Sequence, residues 1–249
     1  PQIGKLRHLS RLVLSSNLLC SLPATIGSLK ELHRVVFLGN KLNKFPSMLL
    51  HCPEIQYLNL GTNRIQSTPE NPGELRHLKR LDLSGNLLTS FPRLACHQPN
   101  LEILKIQHNK IETVPECIGN LKHLETLKIS HNCIRELPES LGKLERISSL
   151  TLWDNNITHF PSTFKDWQNI VKIDLASNGI ESFPKDLELP HSLKGLVLRD
   201  NKLKHVPRFL SKAVRLKALN LAGNPLGDLT EKDKEIVDSL RKRGCKVYL

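Results

Sequence analysis

Asparagine recurs at positions 17, 40, 63, 86, 109, 132, 155, 178, 201 and 224, always 23 residues after the last and with no insertion. Proline follows six positions later at 23, 46, 69, 92, 115, 138, 161, 184 and 207. Ahead of each Asn the pattern is apolar-x-x-apolar-x-apolar-x-x-Asn, as in Leu9, Leu12, Leu14 and Asn17, or Leu124, Leu127, Ile129 and Asn132. An aliphatic residue comes two positions after each Asn, from Leu19 to Leu226. A fixed period of this length is the mark of a solenoid, in which each unit is too small to bury its apolar face alone and does so against its neighbours. It overrides the one or two domains that 249 residues would suggest by length.

Alternation of apolar and variable residues before each Asn predicts a short strand with one face buried and one exposed. Stacked coils then align their strands in one parallel sheet, and ten strands at about 4.8 Å spacing extend about 43 Å. The Asn falls where the chain leaves the strand. Its amide offers two donors and an acceptor to backbone groups that the turn leaves without a ladder partner. The Pro has a fixed φ and no N–H, so it ends the strand pattern and opens the other side of the coil. Some coils depart from the pattern there. The Ile26–Gly27 and Ile118–Gly119 of regular coils become Pro72–Gly73, Ala95–Cys96 and Leu187–Glu188, and Gln98 and Pro190 stand where Leu29 and Leu121 stand elsewhere. These coils are expected to be looser on that side.

The ends differ from the middle. Residues 1–9 read as the second half of a coil whose strand is absent, which leaves the first complete coil without a neighbour and suggests preceding chain or another covering domain. Residues 10–228 hold ten coils, and 229–249 read as a C-terminal cap. In that cap "LTEKDKEIVDSLRKRG" predicts a helix, with Thr230 as N-cap, Asp233 completing a capping box and Gly244 as the C′ residue. Ile236, Val237 and Leu240 would face the last coil, and "CKVYL" would add a final strand. The basic run 241–243 is read as a helix C-terminus favoured by the dipole, ahead of a nuclear signal or a phosphate contact.

These residues resemble the leucine-rich repeat family over nearly the whole chain. The variant "LPxxIGxLxxL", as in "LPATIGSLKEL" at 22–32, is similar to the 23-residue intracellular class of Ras-suppressor, Scribble and Erbin-type proteins. The resemblance implies an α/β fold: a curved horseshoe solenoid, a single domain over 1–249, with one parallel sheet on the concave face and an irregular or short-helical convex side. It also implies a cytoplasmic scaffold for signalling proteins, small GTPases or adhesion complexes. No cofactor is implied.

Composition narrows the partners less than the repeat does. The net charge of +12 permits an acidic protein, nucleic acid or an anionic membrane, but speaks to association and not to fold. Six cysteines at 20, 52, 96, 117, 133 and 245 form no C-x-x-C pair and occupy different places in the repeat, so free thiols in a reducing compartment are expected. No apolar stretch approaches the roughly 20 residues of a membrane span. No leader is visible, although the chain begins at Pro1, so nothing follows from that. Asn156-Ile157-Thr158 is a glycosylation sequon that matters only in a secreted chain.

No phosphate-binding loop, dinucleotide fingerprint, H-E-x-x-H, zinc-spaced cysteine set or nucleophile elbow occurs, so the segment is read as non-catalytic. Selection for binding is then free to act on the outward strand positions, which form columns six, four, two and one residues before each Asn. The middle coils are richest, with Lys105, Gln107, His108, Lys128, His131, Trp153, Asp154, Lys172 and Asp174, joined by Arg199. Neighbouring coils place such side chains roughly 5 Å apart. Trp167 falls at a convex core position, whereas Trp153 falls in an outward column where the core gains nothing from it. An exposed Trp among charges is typical of an interface anchor, although local packing on Lys128 and Lys172 methylenes could also hold it. His108, His131 and Asp154 follow one another in one column, and a polar contact surface is favoured over a metal site because no fourth ligand is evident.

The leading functional reading is a protein-interaction scaffold that binds a partner in its concavity, as a monomer or as part of a larger chain. A regulatory or targeting arm of a longer protein is its natural context. Binding of nucleic acid or anionic lipid is disfavoured, because Lys30, Lys41, Arg64, Lys122, Lys143, Lys165, Lys202 and Arg208 scatter over convex and loop positions without stacking aromatics.

Overall fold

The alternating triplets before each Asn form strands that are three residues long, because only these positions lie between the convex turn and the Asn turn. The computed structural model describes residues 2–184 and 187–249, and Pro1 of the N-terminal half-coil lies outside them. Ten strands follow the repeat: β1 (Arg11–Val13), β2 (Arg34–Val36), β3 (Tyr57–Asn59), β4 (Arg80–Asp82), β5 (Ile103–Lys105), β6 (Thr126–Lys128), β7 (Ser149–Thr151), β8 (Lys172–Asp174), β9 (Gly195–Val197) and β10 (Ala218–Asn220). With β11 (Lys246–Tyr248) they form one all-parallel sheet in strict sequence order, the α/β horseshoe solenoid that the period predicts. From β1 to β10 the register advances by 23 residues per strand, so equivalent positions lie side by side: Leu104 against Leu127, Lys105 against Lys128.

The Asn side chains join the coils. In Asn132, Nδ2 donates to Ile129 O at 3.0 Å in its own coil and to Ile106 O at 3.0 Å in the preceding one. Oδ1 accepts from Ile111 N at 3.0 Å, the aliphatic residue two positions after the preceding Asn. The next Asn repeats the arrangement one coil on, with Nδ2 of Asn155 reaching Ile129 O at 3.1 Å and its Oδ1 accepting from Ile134 N at 3.1 Å. Ile129 O is thus shared by two asparagines, and the same sharing recurs from Leu14 O to Leu198 O. The Oδ1 bond uses only the backbone N–H of the aliphatic residue, whose side chain is fixed by burial in the core.

On the convex side the Pro residues cap short 3-10 helices, Ala24–Ser28, Ser47–His51, Arg93–His97, Glu116–Asn120, Glu139–Lys143 and Arg208–Lys212. Lacking an N–H, Pro contributes only its carbonyl, which accepts from the third residue onward, as in Ile118 N to Pro115 O at 3.1 Å. Between the sheet and these helices the repeated aliphatics form one continuous core, with Leu121, Leu124, Leu127, Ile129 and Ile134 all buried. Trp167 is buried at the expected convex core position and donates its Nε1–H to Leu141 O at 3.2 Å.

The cap forms as its sequence dictates. Helix α1 (Glu231–Lys242) begins at Thr230 with a full capping box to Asp233. Burial pushes the Asp233 carboxyl up, but hydrogen bonds from Thr230, the Val206 N–H and His205 hold it below the usual carboxylate range. Val237 and Leu240 are buried and Ile236 packs against the core, while Gly244 takes the left-handed φ of +81° that ends the helix. β11 then pairs with β10.

Two expectations are corrected. The Ala95–Cys96 coil is not loose: Arg93–His97 forms a regular 3-10 helix, and Gln98 is fully buried with Nε2 donating to Leu75 O at 2.9 Å. The Pro72–Gly73 coil does lack such a helix. Nor are all six cysteines free, since Cys96 and Cys117 form a disulfide with Cα atoms 5.6 Å apart. Their separation of 21 residues, two short of the repeat, faces them across adjacent convex helices. Cys20, Cys52, Cys133 and Cys245 are free, and burial pushes the Cys52 thiol up to about 11. The cysteines therefore no longer argue for a reducing compartment.

Replacing Asn132 by Ala strips the Ile111 N–H of its acceptor and removes a donor from two carbonyls, which should cost about 2–3 kcal/mol. A chemical denaturation series on the wild type and the N132A variant checks this; a loss below about 0.5 kcal/mol would show that the ladder does not bind the coils together.

Candidate protein-interaction surface

Because every strand is in register, its outward residues become straight columns across the concave face. Asp82, Lys105, Lys128, Thr151 and Asp174 stand side by side in one such column. The residue just before each Asn has a left-handed backbone, with φ between 51° and 56° in Ser16, Thr62, His108, His131, Asp154, Ser177 and Asp200. Gly39, Gly85 and Gly223 occupy the same place with φ of 69°, 62° and 73°. This conformation explains the small and polar residues in the column. Its two histidines belong, like Asn and Asp, to the non-glycine residues found there most often, and the β-branched Thr62 is the outlier of the column.

Those two rings are stacked. The His108 and His131 centroids are 4.0 Å apart with planes 17° from parallel, and the Trp153 ring meets His131 edge-on at 4.0 Å. His131 also donates Nδ1–H to the Asp154 carboxylate. Three aromatic rings from three successive coils thus form one ladder, with Trp153 still 37% exposed. Burial is the main reason that the His108 imidazole titrates below its ordinary value; the neighbouring His131 lowers it further and Asp154 acts the other way. Beside the ladder, Gln107 Oε1 is buried and has no hydrogen-bond partner among the described residues. Among the described residues no group of three His, Cys, Asp or Glu is arranged to hold a metal ion.

The charges are unevenly matched. Every carboxylate in the four columns faces a cation: Asp82 has Lys105 at 3.9 Å, Asp174 has Lys172 at 3.2 Å, Asp200 has Arg199 at 3.0 Å, and Asp154 has His131. Lys128 has no carboxylate within 4 Å among the described residues, although it stands beside Lys105, so two like charges sit together. Of the ten residues singled out from the sequence, His108, His131, Trp153 and Asp154 are in direct contact, and Lys105 and Lys128 adjoin on neighbouring strands. Lys172 and Asp174 pair with each other. Arg199 stands apart, two coils from Trp153 with Ala176 between them.

The same columns contain a group not singled out from the sequence: Arg11, Arg34, Tyr57 and Arg80, on β1 to β4. The Arg34 guanidinium lies 3.7 Å above the centre of the Tyr57 ring. The signal for them was the lack of any acidic residue in their column.

The match to known proteins agrees with this architecture. Residues 48–242 match the family described as "Leucine-rich repeat region", and the chain belongs to the leucine-rich repeat family. No curated protein sequence matches it. Among solved structures it is similar to a leucine-rich repeat protein of Leptospira interrogans, 26% identical with a TM-score of 0.70, over 100% of this chain and 74% of that one. It also resembles Toll of Drosophila, solved in complex with Spatzle, at 22% identity and a TM-score of 0.81, over 99% of this chain and 33% of that one. An internalin of Listeria monocytogenes is 20% identical with a TM-score of 0.60, over 98% of this chain and 81% of that one. At 22% and 20% identity the last two show the shared fold. No helix among the described residues is long and apolar enough to cross a membrane.

The His108 shift gives a direct check on the ladder. In an NMR titration the His108 ring should protonate below the ordinary value of about 6.5, and H131A should move its midpoint back toward that value. Because the unfolded chain takes this proton first, His108 supports the fold above about 6.5 and the support fades as pH falls from there through the folded value. An unshifted midpoint in the wild type would mean that the rings do not stack in solution.

Proposed function

We propose that the chain is a non-catalytic scaffold that captures a partner protein on its concave face, with the His108–His131–Trp153 ladder as the central anchor. The supporting observation is the ladder itself. A 37% exposed Trp on a rigid sheet, braced by a second ring and flanked by charges, has the features of a binding anchor: large contact area and little entropy left to lose. Lys105, Lys128, Lys172 and Asp174 form a polar margin around it, with Gln107 beside it and Arg199 a more distant part of the same proposed surface.

The finer reading is an intracellular signalling scaffold, for which a small GTPase is one partner class. The "LPxxIGxLxxL" variant of the repeat supports this, and the Cys96–Cys117 bridge weighs against a permanently reducing compartment. A role as the binding arm of a longer protein fits the Toll comparison, in which a chain of this size matches about a third of the whole.

Affinity capture from cell lysate, read by mass spectrometry, tests the proposal. Trp153→Ala, and separately Lys105→Glu with Lys128→Glu, should abolish capture of a saturable partner while changing stability by less than about 1 kcal/mol. Undiminished capture by both variants would move the binding surface to the convex side or to an end.

A further inference from the structure

The carboxylates of the concave columns are all matched to cations, but the cations are not all matched to carboxylates. Among the described residues Arg11, Arg34 and Arg80 have no carboxylate within 4 Å, and Arg11 and Arg80 make no side-chain hydrogen bond. Arg11 and Arg34 are register neighbours, and Tyr57 separates Arg34 from Arg80. Three guanidinium groups therefore span four strands with no acid between them, in a column roughly 14 Å long. Like charges held side by side disfavour the free protein. Cation–π contact with Tyr57 fixes one of the three in place.

One pleat further along the same strands stand Val13, 58% exposed, and the buried Val36, followed by Asn59 and Asp82. Leu38, 38% exposed, lies one pleat beyond Val36 on the same inner face. Leu38 leans toward Gly61, where a side chain would meet its Cδ1 at 3.1 Å. Exposed aliphatics beside unpaired guanidinium groups make a surface with one cationic edge and one apolar edge.

From this arrangement we infer that the N-terminal third of the concave face is a binding site for an extended acidic protein segment, with carboxylates on one edge and aliphatic side chains on the other. Alternating side chains of an extended chain point to opposite sides. A segment lying edge-on along the stack therefore presents its carboxylates to Arg11, Arg34 and Arg80 and its aliphatics to Val13 and Leu38. Guanidinium groups suit this role because their fixed fork bonds a carboxylate through two parallel hydrogen bonds. An aliphatic edge favours a peptide over nucleic acid, whose backbone would leave Val13 and Leu38 uncovered. The site rests on the reading of the concave face as the interaction surface and adds to it a second contact region with its own ligand chemistry.

The test is fluorescence anisotropy of the full chain with a labelled peptide of alternating glutamate and leucine. Alternating lysine and leucine, a uridine-rich RNA and phosphatidylserine vesicles serve as competing probes. The Glu-Leu peptide should bind the wild type, and Arg11→Gln with Arg80→Gln should weaken it at least tenfold. Arg34→Lys should also weaken it, since the charge stays and the fork is lost. Lys41→Gln with Lys202→Gln removes the same net charge elsewhere and should change binding less than twofold. Equal binding by the wild type and the arginine variants would overturn the site, as would RNA or vesicles binding tighter than the peptide through the same arginines. If this site fails but Trp153→Ala still abolishes partner capture, only the acidic subsite is lost. Peptide binding with capture independent of Trp153 would remove the central anchor and leave the subsite.

Discussion

The asparagine amide is the interaction on which everything else rests. From Asn40 to Asn224 each one satisfies a backbone N–H and a carbonyl of the preceding coil and a carbonyl of its own, while Asn17, in the first complete coil, bonds only carbonyls of its own coil. Unpaired, these groups would be buried polar atoms at a turn that cannot provide a regular ladder partner. Paired through Asn, they fix the offset of one coil on the next at 23 residues, and the sheet register follows. That rigid register is what places outward side chains in columns, so that residues remote in sequence act as one surface. The concave surface thus depends on a structural hydrogen bond that lies outside its columns.

Strain accompanies this arrangement at one column. Leaving the strand toward the Asn requires a left-handed backbone, which glycine adopts freely and which His108 and His131 adopt at some cost. In return their rings project where they can stack on one another and brace Trp153. Backbone geometry needed for the turn thereby puts aromatic side chains at the edge of the concave face, next to the charged columns.

The repeat made the fold legible because it is written in spacing: Asn, Pro and aliphatic positions follow directly from what a stacked coil must bury and bond. The capping helix was legible for the same local reasons, from Thr230 to Gly244. Less of the candidate surface could be read. The columns named its residues, but which side chains meet depends on rotamers, and the His108–His131 stack and the Arg34–Tyr57 contact are invisible in spacing alone. The Cys96–Cys117 pairing was missed because it joins different repeat positions, 21 residues apart instead of 23. Gln98 was misread as a sign of looseness because its amide finds Leu75 O only across the coil boundary.

Hydroxyl-radical footprinting of the chain, free and with its captured partner, addresses the central claim most directly. If the inner curve is the binding surface, Trp153, His131 and Tyr57 become protected, while Met48, His51 and His97 on the convex helices react as before. Protection confined to those convex residues, with Trp153 as reactive as in the free chain, would contradict the account.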